Sequence, residues 1–204
     1  RSVKPEDVKP ENIDFIYILY MKSKKQIRRP RNKSKKFRRK LMKGGTGLND
    51  GHTPLHKASY DGDMKKVNEL IDEGARAFIN VEDVIQMTPL HYACRYGHLN
   101  VINTLLDRGA IINARDAIQS TPLHVASRYG HVNVVNTLLD RGANVDASDT
   151  IQRTPLHMPC MHGHLQVVKS LLDGGANVDA RDENQRTPLH LACGHGADDD
   201  NVHV

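Results

Sequence analysis

The tetrapeptide Thr-Pro-Leu-His occurs five times in this chain, beginning at Thr53, Thr88, Thr121, Thr154 and Thr187. The first spacing is 35 residues and the next three are 33. A single closed core has no reason to repeat a motif at fixed intervals. A row of stacked units does, because each unit must present the same face to its neighbour. The period therefore dictates the architecture. It also moves the functional question from a buried catalytic cluster to a recognition surface.

With each threonine numbered zero, the other recurring positions acquire physical roles. Position 5 is Ala58, Ala93, Ala126 and Ala192, and position 6 is Ser59, Cys94, Ser127, Cys160 and Cys193. These small residues let a neighbouring helix approach closely. Threonine is an N-cap, whose hydroxyl accepts an orphan N–H of the first turn. The proline after it lacks a donor that would be orphaned anyway. Glycine at position 9 (Gly62, Gly97, Gly130, Gly163 and Gly196) ends a helix of about two turns by tolerating positive φ. Apolar residues at positions 13, 14, 17 and 18, such as Val134, Val135, Leu138 and Leu139, form the buried stripe of a second helix. A Gly-Ala pair ends it. The remaining dozen residues, such as 144–153, are polar and turn-rich and predict an extended finger.

With T-P-L-H-x-A, then G-H, then L-L-D-x-G-A, residues 49–196 resemble the ankyrin-repeat family. The resemblance implies a mainly α solenoid of about four to five repeats. Each unit would be a helix–turn–helix plus a β-hairpin finger. The units read as 49–83, 84–116, 117–149 and 150–182, with a partial fifth unit at 183–204. Residues 1–48 read as a disordered basic N-terminal arm and linker. No unit can bury its own apolar face, so stability resides in the interfaces between neighbours.

Three departures stand out. Arg76 and Ala77 are an insertion that accounts for the longer first spacing. Pro159 replaces alanine at position 5 of the fourth unit. It deletes a helix hydrogen bond and crowds the carbonyl of Pro155, at a cost of up to ~3 kcal/mol, so unit four is expected to be the weakest. The fifth unit loses its pattern after Gly196, where Ala197, Asp198, Asp199, Asp200 and Asn201 stand in place of an apolar helix. The chain opens on Arg1, as a fragment or processed product would.

Twelve histidines and three cysteines invite a metal or a nucleophile, and the repeat answers most of that invitation. His56, His91, His124, His157 and His190 share position 3; His98, His131 and His164 share position 10. The resemblance implies that a position-3 histidine bonds within its turn and to the adjacent unit. Cys94, Cys160 and Cys193 share a tight packing slot, and the unit spacing the resemblance implies is too long for a disulfide. They are expected to be buried thiols acting as small hydrophobes. Cys160 and His162 lie two apart, but the repeat frame sets both. Gly44-Gly45-Thr46-Gly47 lacks the Lys-Ser/Thr of a phosphate loop. No enzyme, metal or cofactor is expected.

The resemblance places partner binding on the concave face of the first helices, at positions 7 and 8, and on the finger tips. Positions 7 and 8 include Tyr60, the pair Arg95-Tyr96, the same pair again as Arg128-Tyr129, and Met161. Arg and Tyr are enriched at binding hot spots. The alternative is an ordinary solvated helix surface. Ile85, Ile118 and Ile151 fall three residues before their threonines. They form an apolar strip along the groove edge, or else each packs on the adjacent finger.

Charge is segregated. Residues 1–43 hold 16 Lys/Arg and 4 Asp/Glu, whereas residues 44–204 hold 13 and 20. The stretch 22–43 carries thirteen of those bases and no acid. Lys35-Lys36-Phe37-Arg38 resembles a short nuclear-import signal. Lys24-Lys25 followed, ten residues on, by Lys36-Phe37-Arg38-Arg39-Lys40 resembles a bipartite one, with Arg28 and Arg29 between. The rivals are non-specific binding of nucleic acid through phosphates, an anionic membrane surface helped by Phe15, Tyr17 and Tyr20, and a solubilising tail. A membrane partner is the least favoured of these. The apolar stretch 13–21 contains Asp14 and is far short of the ~20 residues a spanning helix needs. Positive charge follows it rather than precedes it, and no small-residue cleavage site comes after, so a signal peptide is excluded as well. The reading is a non-enzymatic protein-binding adaptor or scaffold inside the cell, in cytoplasm or nucleus. The alternative is a nuclear or nucleic-acid-associated regulator.

Overall fold

In the first three units identical opening chemistry produces identical helix starts. In the computed structural model, which describes residues 51–74 and 78–194, Thr53, Thr88 and Thr121 hold extended backbone at φ −92°, −93° and −97°. Each is followed by proline at the first helical position, and helices α1 (Pro54–Asp61), α3 (Pro89–Arg95) and α5 (Pro122–Arg128) begin there. The histidine three residues after each threonine closes a reciprocal cap. The threonine N–H donates to the histidine Nδ1 at 3.1, 3.1 and 3.2 Å. This is the role that Glu or Gln usually plays in a capping box.

Second helices follow after a short turn: α2 (Met64–Asp72), α4 (Leu99–Asp107) and α6 (Val132–Asp140). Unit four supplies α7 (His157–His162) and α8 (Leu165–Asp173), and α9 (Pro188–Gly194) is the last helix among the described residues. The first helices contact one another in series, α1 to α3 to α5 to α7 to α9. The second helices form a parallel row from α2 to α8. The core lies between the two rows. Val67, Ala93, Cys94, Ile102, Leu105, Ala126, Val135, Leu138 and Leu171 are completely buried there. Small residues at positions 5 and 6 thus let the rows close up, as their size predicts.

Unit four deviates where proline was expected to weaken it. Its first helix has six residues and starts at His157. Pro155 and Leu156 form a turn instead, because Pro159 has no N–H to return to Pro155. The histidine cap survives this loss, with Thr154 N–H donating to His157 Nδ1 at 3.0 Å.

Among the described residues the fingers are tight turns without paired strands. A constant aspartate builds each one. Asp83, Asp116, Asp149 and Asp182 accept, through Oδ1, the N–H groups two and four residues ahead. Gln86, Gln119, Gln152 and Gln185 then take φ of 61–62°, the left-handed conformation that closes a three-residue hairpin loop. Successive fingers are joined by backbone bonds from Ala117 N–H to Ile85 O, Thr150 N–H to Ile118 O and Glu183 N–H to Ile151 O, at 2.9–3.0 Å. The insertion at Arg76 and Ala77, the basic arm with its disorder, the arm–repeat boundary at 48/49 and the loss of pattern after Gly196 all lie outside the described residues.

Candidate protein-binding face

The second set of histidines fixes the platform on which the predicted binding residues stand. His98, His131 and His164 each donate from Nε2 to the position-7 carbonyl of the preceding unit: Tyr60, Arg95 and Arg128, at 2.9, 3.0 and 3.1 Å. Each ring lies over the position-9 glycine of that unit. A Cβ on Gly97, whose φ is 73°, would come within 2.8 Å of His131 Nδ1. The glycine therefore serves twice, as a left-handed helix terminator and as the floor under the next unit's histidine.

On this platform the residues at positions 7 and 8 assemble into a ladder of rings and cations. Lys57 Nζ lies 5.1 Å from the Tyr60 ring centroid, and the Tyr60 and Tyr96 centroids are 4.3 Å apart. The Arg95 guanidinium lies 5.9 Å from Tyr96 and 5.2 Å from Tyr129, and that of Arg128 lies 5.7 Å from Tyr129. These are cation–π separations. They link units one, two and three through side chains that remain open to solvent. Tyr60, Tyr96 and Tyr129 are 42%, 39% and 37% exposed. Burial, reinforced by the Tyr60 hydroxyl, pushes the Tyr96 phenol up to about 12, so it stays a neutral donor at every physiological pH.

The structure brings five of the predicted residues together: Tyr60, Arg95, Tyr96, Arg128 and Tyr129. It adds Lys57, which sequence periodicity gave no reason to select. Met161 is a correction. Expected at the surface, it is only 7% exposed, its flexible side chain drawn into the packing around α7. Ile85, Ile118 and Ile151 are half-buried, with their carbonyls tied to the next finger. They are neither a fully open strip nor core. The basic residues Lys24, Lys25, Arg28, Arg29, Lys35, Lys36, Arg38, Arg39 and Lys40 lie outside the described residues.

Two family models match the chain. One, for ankyrin repeats (3 copies), covers residues 31–116 and 146–202; the other, for the ankyrin repeat, covers 119–150. Together they take in well over half of the 204 residues. The chain belongs to the ankyrin-repeat family. Ankyrin repeats are protein–protein interaction modules.

The position-3 histidines of this ankyrin array are structural. Each receives the threonine N–H at Nδ1, so Nε2 carries the proton, and in the first four units it donates to the neighbouring unit. The acceptors are the carbonyls of Met87, Ser120, Arg153 and Arg186, at 3.0–3.3 Å from His56, His91, His124 and His157. Desolvation pushes His91 and His124 down to about 4, and it lowers His56 and His157 too. Among the described residues no cluster of three His, Cys, Asp or Glu side chains is placed to hold a metal ion, and no helix is long and apolar enough to cross a membrane. Burial pushes the Cys94 thiol far up, which makes it a poor nucleophile. Cys193 is a second correction. It was expected to be buried but is exposed on α9, which no further helix covers among the described residues.

Sequence reasoning missed two groups. The finger aspartates and the glutamines two residues before Thr88, Thr121, Thr154 and Thr187 recur in all four of those units, and that constancy was the available signal. Arg153 and Arg186, immediately before their threonines, were passed over because that position varies: Met87 and Ser120 occupy it in the earlier units.

Proposed function

We propose that this chain is a non-enzymatic adaptor that grips a protein partner across the first-helix face of its ankyrin repeats. Lys57, Tyr60, Arg95, Tyr96, Arg128 and Tyr129 would provide the grip, with the Ile85, Ile118 and Ile151 tips as a partly apolar rim. The observation that carries the reading is the exposed ladder of rings and cations spanning three units. Its side chains are held in place by one another before a partner arrives, so little rotamer entropy remains to be lost on binding. Arg and Tyr in such a setting supply large rigid contact area with polar tips. The setting would be the cytoplasm or nucleus. The test is capture of binding proteins on the immobilised chain, beside a chain carrying Arg95→Ala, Tyr96→Ala, Arg128→Ala and Tyr129→Ala. The captured set should be lost with the variant. An unchanged set would reject the face as the binding surface.

A second reading has its own observation in the sequence, the thirteen bases without an acid between residues 22 and 43. In that reading the arm engages an import receptor or nucleic-acid phosphates while the repeats recruit a protein. A reporter fused to residues 1–48 would enter the nucleus if the arm is an import signal. Oligonucleotide binding that falls steeply with salt and vanishes on deleting 22–43 would mark phosphate contact.

A further inference from the structure

Beyond the ladder, the same series of first helices runs into a different chemistry. Arg128 ends the ladder, and Arg153 and Arg186 stand just before the threonines of the next two units. Arg153 is 8% exposed, and its Nε has no hydrogen-bond partner. The closest carboxylate oxygen to that Nε, Asp182 Oδ2, lies 4.0 Å away, beyond hydrogen-bond reach. Asp182 is already saturated. Its Oδ2 accepts Arg186 Nε and Nη2 at 3.0 and 2.8 Å, and its Oδ1 accepts the N–H groups of Asn184 and Arg186. Asp149 spends Oδ1 on the N–H groups of Ile151 and Arg153. The side-chain hydrogen bond of an Arg153 nitrogen is Nη1 on the Met158 sulfur at 3.5 Å, a weak acceptor.

Arg153 and Arg186 thus share the Asp182 carboxylate, and Arg153, the more buried of the two, is the one left short. Desolvation, with the nearby charges of Arg186 and Arg128, lowers the proton affinity of Arg153, while Asp149 and Asp182 oppose that shift. A buried, under-partnered charge is a standing cost unless something completes it.

We propose that Arg128, Arg153 and Arg186 form a receptor for a single acidic side chain, Asp or Glu, of the partner's polypeptide. This deepens the adaptor reading and rests on it. Guanidinium forks match a carboxylate in bidentate geometry, and the local excess of one positive charge is what one carboxylate neutralises. A polyphosphate is disfavoured, since residues 44–204 hold 20 acids against 13 bases and repel a polyanion at long range. The ladder would supply contact area, and the arginine row would select partners by a fixed acidic residue and set their register along the helices.

The test begins with random dodecapeptides displayed on phage and panned against the full chain. Recovered peptides are synthesised with a fluorophore and titrated into the parent, Tyr96→Ala, Arg128→Gln, Arg153→Met and Arg186→Gln. The expected peptides carry an Asp or Glu whose amide replacement weakens binding about tenfold. Arg153→Met and Arg128→Gln should each cause a similar loss, and the amide peptide should bind parent and Arg153→Met equally well, as a coupled pair requires. Arg153→Met should also melt higher than the parent, because it removes a buried charge. If that variant fails to fold, the half-buried Arg128 and Arg186 carry the same cycle. Peptides that lose affinity in Tyr96→Ala but show no acidic requirement would overturn the receptor and leave the adaptor reading standing. Peptides indifferent to Tyr96→Ala and to all three arginine variants would overturn both. A single-stranded oligonucleotide that competes at the arginine row would overturn the preference for a carboxylate.

Discussion

Acidification to pH 5 should destabilise this array far more than its surface charges would suggest. His91 and His124 have no room for a second proton: Nδ1 already faces a threonine N–H and Nε2 already donates to the next unit. Both sit near a pKa of about 4 in the fold and at the ordinary 6.5 when unfolded. The fold therefore favours the neutral form, and the unfolded chain binds more protons at every pH between the two values. Stability is fully present above 6.5 and is lost as the pH falls toward 4. At pH 5 each histidine has given up about 2 kcal/mol, so the pair costs about 4 kcal/mol, a large share of a typical total of ~5–15. With a urea m-value of about 2 kcal/mol/M, the unfolding midpoint should drop by roughly 2 M between pH 7.5 and 5. Circular dichroism in urea at a series of pH values reads this directly. Asp182 is lowered below the ordinary carboxylate value by its hydrogen bonds and ion pair with Arg186, which outweigh its own desolvation. Its titration thus falls below the window. His124→Gln should start less stable at pH 7.5 and lose about 2 kcal/mol less on the way down. A midpoint flat across this range, or a His124→Gln slope as steep as the parent's, would refute the argument.

Other substitutions probe the stacking from different sides. Pro159→Ala should stabilise the array by about 1–3 kcal/mol, because it restores an N–H for the Pro155 carbonyl and lets α7 start a turn earlier; equilibrium unfolding measures it. Ser127→Ala should stabilise by about 1 kcal/mol, since the Ser127 hydroxyl is buried without a hydrogen-bond partner. Gly97→Ala should cost about 2 kcal/mol, half from left-handed backbone and half from displacing His131, whereas Gly109→Ala, with nothing within 4 Å of its Cβ, should cost about half that in the same assay. Ile118→Ser with Ile151→Ser should reduce partner capture while costing only about 1 kcal/mol per site, because the finger-to-finger bonds use backbone carbonyls. A much larger loss in thermal unfolding would place these side chains in the core.

Much of the fold was legible because each unit solves the same local problem with the same residues. Threonine before proline starts the helix in every unit but the fourth, and the aliphatic pairs mark a stripe whose first leucine is fully buried at Leu105, Leu138 and Leu171, although Leu172 is 42% exposed. The finger was less legible. Its shape depends on a carboxylate bonding backbone two and four residues ahead, and on glutamine adopting positive φ, which glutamine's intrinsic preference argues against. Context overrode that preference, since Asp83 and its counterparts hold the turn closed from both sides. The site was legible only in part, for a related reason. The repeated Arg-Tyr pair announces itself, but Met161 sits in the same frame and turns inward. Only the packing around Pro159 and α7 decides that. Lys57 joins the ladder from position 4, on a face that periodicity marks as plain solvent surface.

The arrangement couples the stack to the proposed binding face. The histidines that lock unit to unit at position 10 do so by grasping the carbonyls of Tyr60, Arg95 and Arg128, the residues whose side chains form the ladder. Backbone under the proposed binding face is therefore held by the same bonds that hold the stack. Loosening the stack loosens the face, and a partner that spans several units tightens the stack in return. Side chains at positions 4, 7, 8 and −1 take no part in those bonds and are free to differ from unit to unit. That freedom lets the face pass from tyrosine and arginine in units one to three to the arginine row in the units beyond. Asp182, 4.0 Å from Arg153 Nε, is the carboxylate paired with that charge, and the proposed partner carboxylate would add a second.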